Sequence, residues 1–228
     1  MKKLIFFLLL GVMSGLFTGC DLKDDGYSLD NAWVGFGLIQ KDSVAQTYQI
    51  NLDDGSVLFP ATYPDLINQV ENNERVLINF TILGDKSNTE NQEQYYVRVN
   101  SLRKILFKNI LDITPEIEDS IGNDPIHVKD VWIKNNMLNF ELKYQGGNEV
   151  IHYINLVKQP GAISTDNGPV VLELRHNKNG DTENIPLSAI VTFKLDSLKI
   201  SGKDSTQFKV IAKDYDGSDF EFTGAYKY

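Results

Sequence analysis

The sequence predicts an all-β protein with an N-terminal OB-like barrel, a following antiparallel β-sandwich of about seven strands, and one short helix in the barrel. Runs of four to eight residues rich in Val, Ile, Tyr, Phe and Thr recur from Trp33 onward, separated by turn-forming residues. The chain has 228 residues, of which 42% are hydrophobic, so it can bury one large core or two small ones. An acidic stretch containing Pro115 and Gly122 divides the strand-like region into two domains.

The first domain is expected over residues 33–111. Strand-like runs occupy residues 33–39, 47–52, 56–59, 75–83 and 95–110, and residues 84–94 are expected to form a polar loop. Pro64 precedes Leu66, Ile67 and Val70, which share one helical face, so a helix is expected there. Five strands with a helix between the third and fourth is the layout of an OB barrel, although an SH3-like barrel or a meander gives a similar pattern.

Residues 112–124 are expected to form a linker, and residues 125–228 the sandwich. Residues 137–144 alternate between apolar and polar side chains, which is the pattern of a half-buried strand. Turn residues predict hairpins at 135–136, 145–148 and 214–219. The other strands are expected at 126–133, 149–157, 170–176, 189–195, 208–213 and 220–226.

Residues 1–19 are expected to be a lipoprotein signal peptide. Lys2 and Lys3 precede an apolar run over residues 4–12, which is short for a spanning helix. Phe17-Thr18-Gly19-Cys20 resembles a bacterial lipobox, in which Cys20 receives the acyl chains that hold the protein on a membrane. A plain secretory signal with a chance cysteine and a permanent N-terminal anchor are the alternatives.

Residues 20–32 are expected to be a lipidated tether. The acidic residues at 21–25 resemble a signal that directs lipoproteins to the cell surface, and a merely solvated tether is the alternative. These observations predict an outer membrane lipoprotein on the cell surface or the periplasmic face.

Composition and motifs argue against several functions. The formal net charge of -9 argues against a nucleic-acid partner, because phosphate binding needs an excess of Lys and Arg. The single cysteine, Cys20, excludes an intramolecular disulfide and a zinc–thiolate cluster. The sequence contains no Gly-x-Ser-x-Gly, P-loop or His-Glu-x-x-His motif, so we expect no enzyme activity, no catalytic residue, no cofactor and no metal.

The histidines are the remaining candidates for chemistry. Alternation predicts that His152 and His176 both face inward, where they could in principle pair as metal ligands or as a base. No acidic residue lies at a matching spacing, so we expect His127, His152 and His176 to be neutral structural histidines bonded to nearby carbonyl groups.

Four short patterns have competing interpretations. The turn at Asp214–Asp219 is interpreted as a hairpin, with a calcium loop as the alternative. The acids at 116, 118 and 119 lie in the expected linker, where nothing fixes the separation that a glycosidase pair needs. Gly35-Phe36-Gly37 indicates a bulge or close packing. Asp-Ser-apolar or Asp-Ser-Thr triplets at 42, 119, 196 and 204 resemble acceptors of bacterial O-glycosylation.

Several segments together resemble the NigD-like proteins. They are Val131-Trp132-Ile133, Leu172–Asn177 with Asp181, Val191–Leu195 and Tyr226. The resemblance implies a surface or periplasmic lipoprotein with an OB-like domain and a β-sandwich, loosely linked to bacteriocin-type loci. It implies no catalytic residue.

We therefore expect a non-enzymatic envelope protein attached to the membrane through Cys20, with a glycan, a peptide or another envelope protein as its partner. The alternatives are an unrecognised hydrolase or metal-binding enzyme, and an accessory or immunity factor of a bacteriocin-type locus. A cleft holding two histidines would favour the enzyme. OB barrels include sugar binders, and exposed aromatic residues on one barrel face would favour a glycan. The candidates are Trp33, Phe36, Tyr48 and Tyr63.

Overall fold

The computed structural model describes residues 26–42, 47–62, 65, 69–89, 92–147, 150–160 and 168–228. They form a closed five-stranded barrel followed by a sandwich of two sheets. The barrel and the sandwich each have their own hydrophobic core. The predicted fold class, an OB-like barrel followed by a β-sandwich, is confirmed. No helix among these residues has the length and apolar character needed to cross a bilayer.

The barrel is closed by five strands in the spatial order β1-β2-β3-β5-β4. They are β1 (Trp33–Asp42), β2 (Thr47–Leu52), β3 (Val57–Thr62), β4 (Arg75–Thr89) and β5 (Gln92–Lys104). β3 and β5 pair in parallel, and the other pairs are antiparallel. Alternate residues point into the barrel, where Ile39, Ile50, Leu58, Ile78 and Val97 have no exposed surface.

The expected polar loop at 84–94 is instead a long hairpin. β4 and β5 stay paired to Thr89 and Gln92, with register shifts after Ile82 and Asp85. Leu83, Asp85 and Lys86 are exposed, because this end of the hairpin extends past the barrel core. The pairing of β4 with β5 therefore continues beyond the residues whose apolar alternation indicates a strand. Of the residues named for the helix after Pro64, only Val70 is among the described residues, and its side chain is buried.

Nine strands form the sandwich among the described residues, against about seven expected. One sheet has the order β14-β13-β11-β10-β7 and the other β6-β12-β9-β8. The strands are β6 (Leu106–Asn109), β7 (Leu111–Asp112), β8 (His127–Lys134), β9 (Met137–Gly146), β10 (Tyr153–Lys158), β11 (Val170–Asn177), β12 (Ile185–Lys194), β13 (Ser205–Lys213) and β14 (Asp219–Lys227). A short helix α1 (Pro115–Ile121) and a 3₁₀ turn (Asp196–Leu198) complete the domain.

The two domains join without a free linker. β6 follows β5 after the single buried residue Ile105, and it pairs in parallel with β12. β7 pairs in parallel with β10. Residues 106–109 and 111, expected in the barrel domain, are therefore paired with sandwich strands, and α1 lies within the expected linker. The sequence pattern did not predict these pairings, because the partners of β6 and β7 lie far downstream in the chain.

The three turn predictions have different outcomes. Asn135, at a φ of 55°, closes the hairpin between β8 and β9, and Gly217 lies in the turn between β13 and β14. Both predictions are confirmed. The hairpin expected at 145–148 is wrong, because β9 pairs with β8 and β12 whereas β10 lies in the other sheet. Asn148 is outside the described residues.

Candidate functional site

A buried cluster of two histidines and one aspartate lies at one end of the sandwich. His152 directly precedes β10, and His176 is the penultimate residue of β11, where it pairs with Ile154. Asp181 lies in the loop between β11 and β12. Antiparallel pairing of β10 and β11 thus brings the two histidines together, whereas alternation had predicted only that both face inward.

One line of hydrogen bonds connects these side chains. Nδ1 of His176 lies 3.0 Å from the carbonyl oxygen of Pro125, and Nε2 of His176 lies 2.8 Å from Nδ1 of His152. Nε2 of His152 in turn lies 3.0 Å from Oδ2 of Asp181. His176 therefore bonds a carbonyl group, as expected. His152 instead bonds His176 and Asp181, an acid that no sequence spacing had indicated.

The proton positions follow from the two ends of this line. A carbonyl oxygen only accepts, so Nδ1 of His176 carries a proton. Burial lowers the pKa of His176 and keeps the ring neutral, so its Nε2 accepts from Nδ1 of His152. The backbone N–H of Gly147, and then His152, lower the pKa of Asp181, which is a carboxylate and only accepts. The two nitrogens of His152 therefore lie against Nε2 of His176 and the carboxylate of Asp181.

The surroundings of His152 and Asp181 exclude solvent. The side chains of His152 and Asp181 are only 4% and 6% exposed, and His176 is 1% exposed. The ring of Tyr144 lies 4.9 Å from that of His152, measured between centroids. Asp181 also accepts from the backbone N–H groups of Gly147 and Thr182, at 2.5 and 2.8 Å. Because every nitrogen of the two histidine rings has a hydrogen-bond partner, this cluster holds three chain segments together.

The other acidic and histidine candidates do not join this cluster. Nδ1 of His127 lies 2.9 Å from Oδ2 of Asp214, and the His127 side chain is 51% exposed. Asp216 accepts from the backbone N–H and hydroxyl of Ser218, which stabilises the turn. Across the described part of the chain, no group of three or more His, Cys, Asp or Glu side chains is arranged to hold a metal ion.

A second candidate site is a cleft of about 340 Å³ at the junction of the two domains, here called the junction cleft. Trp33 and Phe36 contribute from β1, and Trp132 contributes from β8 of the sandwich. The ring of Phe36 lies 5.7 Å from that of Trp132, and Trp33 stacks on Phe80 at 6.3 Å. Both tryptophans of the chain therefore lie at this cleft, one from each domain.

Arg75, at the start of β4, connects the cleft lining to the sandwich domain. Its terminal nitrogens donate to the two carboxylate oxygens of Asp53, a residue of the cleft lining, and Nη2 lies 3.4 Å from Oδ1 of Asn139 on β9. Arg75 has no exposed surface, and its Nε has no hydrogen-bond partner among the described atoms. The Phe36 ring lies 5.6 Å from the guanidinium carbon, which adds a cation–π contact.

Polar groups border the otherwise apolar junction cleft. Oδ1 of Asp54 accepts from the backbone N–H and hydroxyl of Ser56, at 2.9 and 2.7 Å. Lys134 also lines the cleft and is exposed. Within the described ranges, the Lys134 ammonium and the indole N–H groups of Trp33 and Trp132 have no hydrogen-bond partner.

The remaining predicted candidates are scattered. Tyr48 lines a separate polar groove with Gln40, Gln49 and Phe59. Cys20 and Tyr63 lie outside the described residues. Gly37 is closely packed as expected, because a Cβ there would lie 2.8 Å from Cγ2 of Ile50. Nothing in the sequence pattern indicated that Trp132 lines the same cleft as Trp33.

An OB-like barrel continuous with a two-sheet sandwich defines a class of two-domain all-β proteins. The family model of the NigD-like N-terminal OB domain matches residues 36–105. The model of the NigD-like C-terminal beta sandwich domain matches residues 109–224. The chain therefore belongs to the NigD-like family, and the resemblance found in the sequence is confirmed.

Solved structures from Parabacteroides and Bacteroides species share this architecture. A candidate toxin-related protein from Parabacteroides distasonis is 28% identical, with a TM-score of 0.71 over 86% of this chain and 94% of that chain. A protein of unknown function from Bacteroides vulgatus is 24% identical, with a TM-score of 0.70 over 87% and 92%. A NigD-like immunity protein from Bacteroides caccae is 19% identical, with a TM-score of 0.64 over 88% and 99%. No match was found among the curated proteins.

Proposed function

We propose that this NigD-like protein is a non-catalytic binding protein of the bacterial envelope, anchored in the outer membrane through lipidated Cys20. Its partner binds in the junction cleft. The observation that carries this proposal is that Trp33 and Trp132, from different domains, both line one mostly apolar cleft. Tryptophan is enriched at binding hot spots, and apolar clefts with a few polar groups are the usual form of ligand sites.

The buried histidines support a non-catalytic role. A general base must come within hydrogen-bond reach of a substrate proton, at about 2.6–3.2 Å or through one water. His176 is 1% exposed, and both of its ring nitrogens are engaged within the protein. This favours binding over the alternative of an unrecognised hydrolase or metal-binding enzyme.

Membrane attachment is tested by fractionating cells that express the protein or its Cys20→Ala variant. We expect the variant to leave the membrane pellet, whereas the protein itself stays there. A variant that still pellets unchanged would contradict lipid anchoring at Cys20. Protease treatment of whole cells distinguishes the cell surface from the periplasmic face.

Partner binding is tested by capture from a detergent extract of cell envelopes, with full-length protein as bait. Trp132→Ala should abolish capture of the partner, and Trp132→Phe should retain part of it, because an aromatic ring remains. Tyr153→Ala is the matched control, since Tyr153 is a 44% exposed aromatic residue on β10. Equal capture by the protein and by a folded Trp132→Ala variant would reject the cleft as the binding site.

The second candidate is an accessory or immunity factor for a secreted toxin. It is supported by the names of two similar structures, a candidate toxin-related protein and a NigD-like immunity protein. Deleting the gene should then make cells sensitive to a toxin released by their kin. Unchanged survival in mixed culture with every kin strain tested would reject this candidate.

A further inference from the structure

We infer that the ligand of the junction cleft is a neutral sugar unit, whose ring lies against the tryptophans and whose hydroxyl groups bond Asp54 and Lys134. This inference rests on the proposed function, because it specifies the chemical class of the ligand for the same cleft. The aromatic walls, the balanced charge and the free hydrogen-bonding groups of the cleft point to this class.

The aromatic walls suit a ring with C–H groups on its face. Trp33 is held by stacking on Phe80 at an interplanar angle of 26°, and Trp132 packs against Phe36 at 47°. Both indoles are only partly buried, so aromatic surface remains accessible. The face of an indole carries negative π density, which attracts the weakly positive C–H groups of a pyranose ring.

The charges at the cleft cancel. Asp53 is neutralised by Arg75, which donates to both of its carboxylate oxygens at 2.5 Å. The remaining charged groups are one carboxylate, Asp54, and one ammonium, Lys134. An anionic ligand would meet Asp54 and a cationic ligand would meet Lys134, so the cleft gives no net attraction to either charge.

The polar groups require a ligand that both donates and accepts. Oδ1 of Asp54 is occupied by Ser56, whereas Oδ2 has no partner among the described residues. The Lys134 ammonium is a donor that is likewise free. A hydroxyl group donates and accepts, so neighbouring hydroxyls of one sugar can serve both. An aliphatic peptide side chain would desolvate both charges and compensate neither.

The tryptophans also provide the measurement. The chain contains two, and both line the cleft, so its whole tryptophan emission reports on this site. We would titrate the full-length protein in detergent with neutral hexasaccharides built from glucose, mannose, galactose or xylose. At least one should produce a saturable change in emission, and Tyr153→Ala should retain it.

Two conservative variants test the assigned contacts. Asp54→Asn keeps the acceptor for Ser56, and Lys134→Met keeps the aliphatic stem. Each should weaken the affinity for the sugar by about tenfold or more, because each removes a hydrogen bond to a charged group. Far-UV circular dichroism and urea midpoints establish that the variants are folded. Unchanged affinity in both variants would overturn the assignment.

The outcomes separate this inference from the proposed function. If no neutral sugar binds while envelope capture still depends on Trp132, the sugar class is wrong and cleft binding stands. If only charged oligosaccharides bind, the inference that the ligand is a neutral sugar is wrong. If sugars do not bind and capture is also independent of Trp132, both proposals fail.

Discussion

Asp53 accepts a hydrogen bond from each terminal nitrogen of Arg75, both at 2.5 Å, and Asp53 itself lines the junction cleft. Arg75 has no exposed surface, and the Asp53 side chain is 15% exposed. A charge so far from water is tolerated only when it is paired.

Replacing Arg75 by Met should therefore leave Asp53 without its partner and cost about 3–5 kcal/mol of unfolding free energy. Urea denaturation followed by circular dichroism measures this loss. The double variant Arg75→Met with Asp53→Leu should recover much of it, because no unpaired charge remains. A loss for Arg75→Met below about 1 kcal/mol, typical of an exposed pair, would contradict a tightly coupled buried pair.

A buried hydrogen bond within the sandwich, next to the Arg75–Asn139 contact across the junction, can be tested at Thr192. Its hydroxyl donates to Oδ1 of Asn139 at 2.8 Å, and both residues have no exposed surface. Thr192→Val should cost about 1–3 kcal/mol, because the buried oxygen of Asn139 is then left with only the 3.4 Å contact from Arg75. Thr223→Val, at an exposed position on β14, is the control and should unfold like the unchanged protein.

Burial of His176 predicts that stability falls with acid. Its pKa is lowered from the ordinary value of 6.5, so over the window below this value the unfolded chain binds the proton more readily than the folded chain. The stability contributed by the neutral ring is present above pH 6.5 and is lost as the pH falls through that window. The urea midpoint should therefore decrease between about pH 7 and about pH 5.

His176→Asn tests the origin of this acid dependence. Asn keeps a donor near the carbonyl of Pro125 but does not titrate, so the decrease between those pH values should shrink. His127→Asn removes a half-exposed histidine and should leave the decrease in place. Equal pH profiles for His176→Asn and the unchanged protein would assign the dependence to other groups. The lowered pKa of Asp181 acts in the same direction, but only as the pH falls below its ordinary value of 3.8.

Two glycines on neighbouring strands provide a matched test of packing. A Cβ at Gly37 would lie 2.8 Å from Cγ2 of Ile50 and 2.9 Å from the backbone oxygen of Asn51, whereas a Cβ at Gly84 has open space around it. Gly37→Ala should lower the unfolding free energy by about 1–3 kcal/mol, and Gly84→Ala should be nearly neutral. Thermal melts of both variants measure the difference. Similar melting temperatures would show that the barrel relaxes around the added methyl group.

Local chemistry made part of the fold predictable. The strand over residues 137–144 was readable because its side chains alternate, and Asn135 marked the turn before it. In contrast, β6 and β7 are too short to show a period, and their partners lie far along the chain. In the outer part of the hairpin formed by β4 and β5, the successive residues Asp85 and Lys86 are both exposed, so no apolar alternation indicates a strand there.

The candidate sites depend still more on tertiary structure. The inward direction of His152 and His176 follows from alternation, but the position of Asp181 depends on how the loop after β11 folds back. Likewise, Trp33 and Trp132 are each visible as aromatic residues. Their shared location at the junction cleft depends on the relative placement of two domains, which no local pattern encodes.

The parallel pairing of β6 with β12 and of β7 with β10 has a practical consequence for dissecting the protein. A fragment beginning at residue 125 would lack β6 and β7, leaving β12 and β10 as unpaired sheet edges. Exposed edges are templates for aggregation. A separately expressed sandwich should therefore begin at Leu106, directly after the barrel ends. During synthesis, β6 cannot pair with β12 until residue 194 has been made, so this contact of the domain junction forms only late in translation.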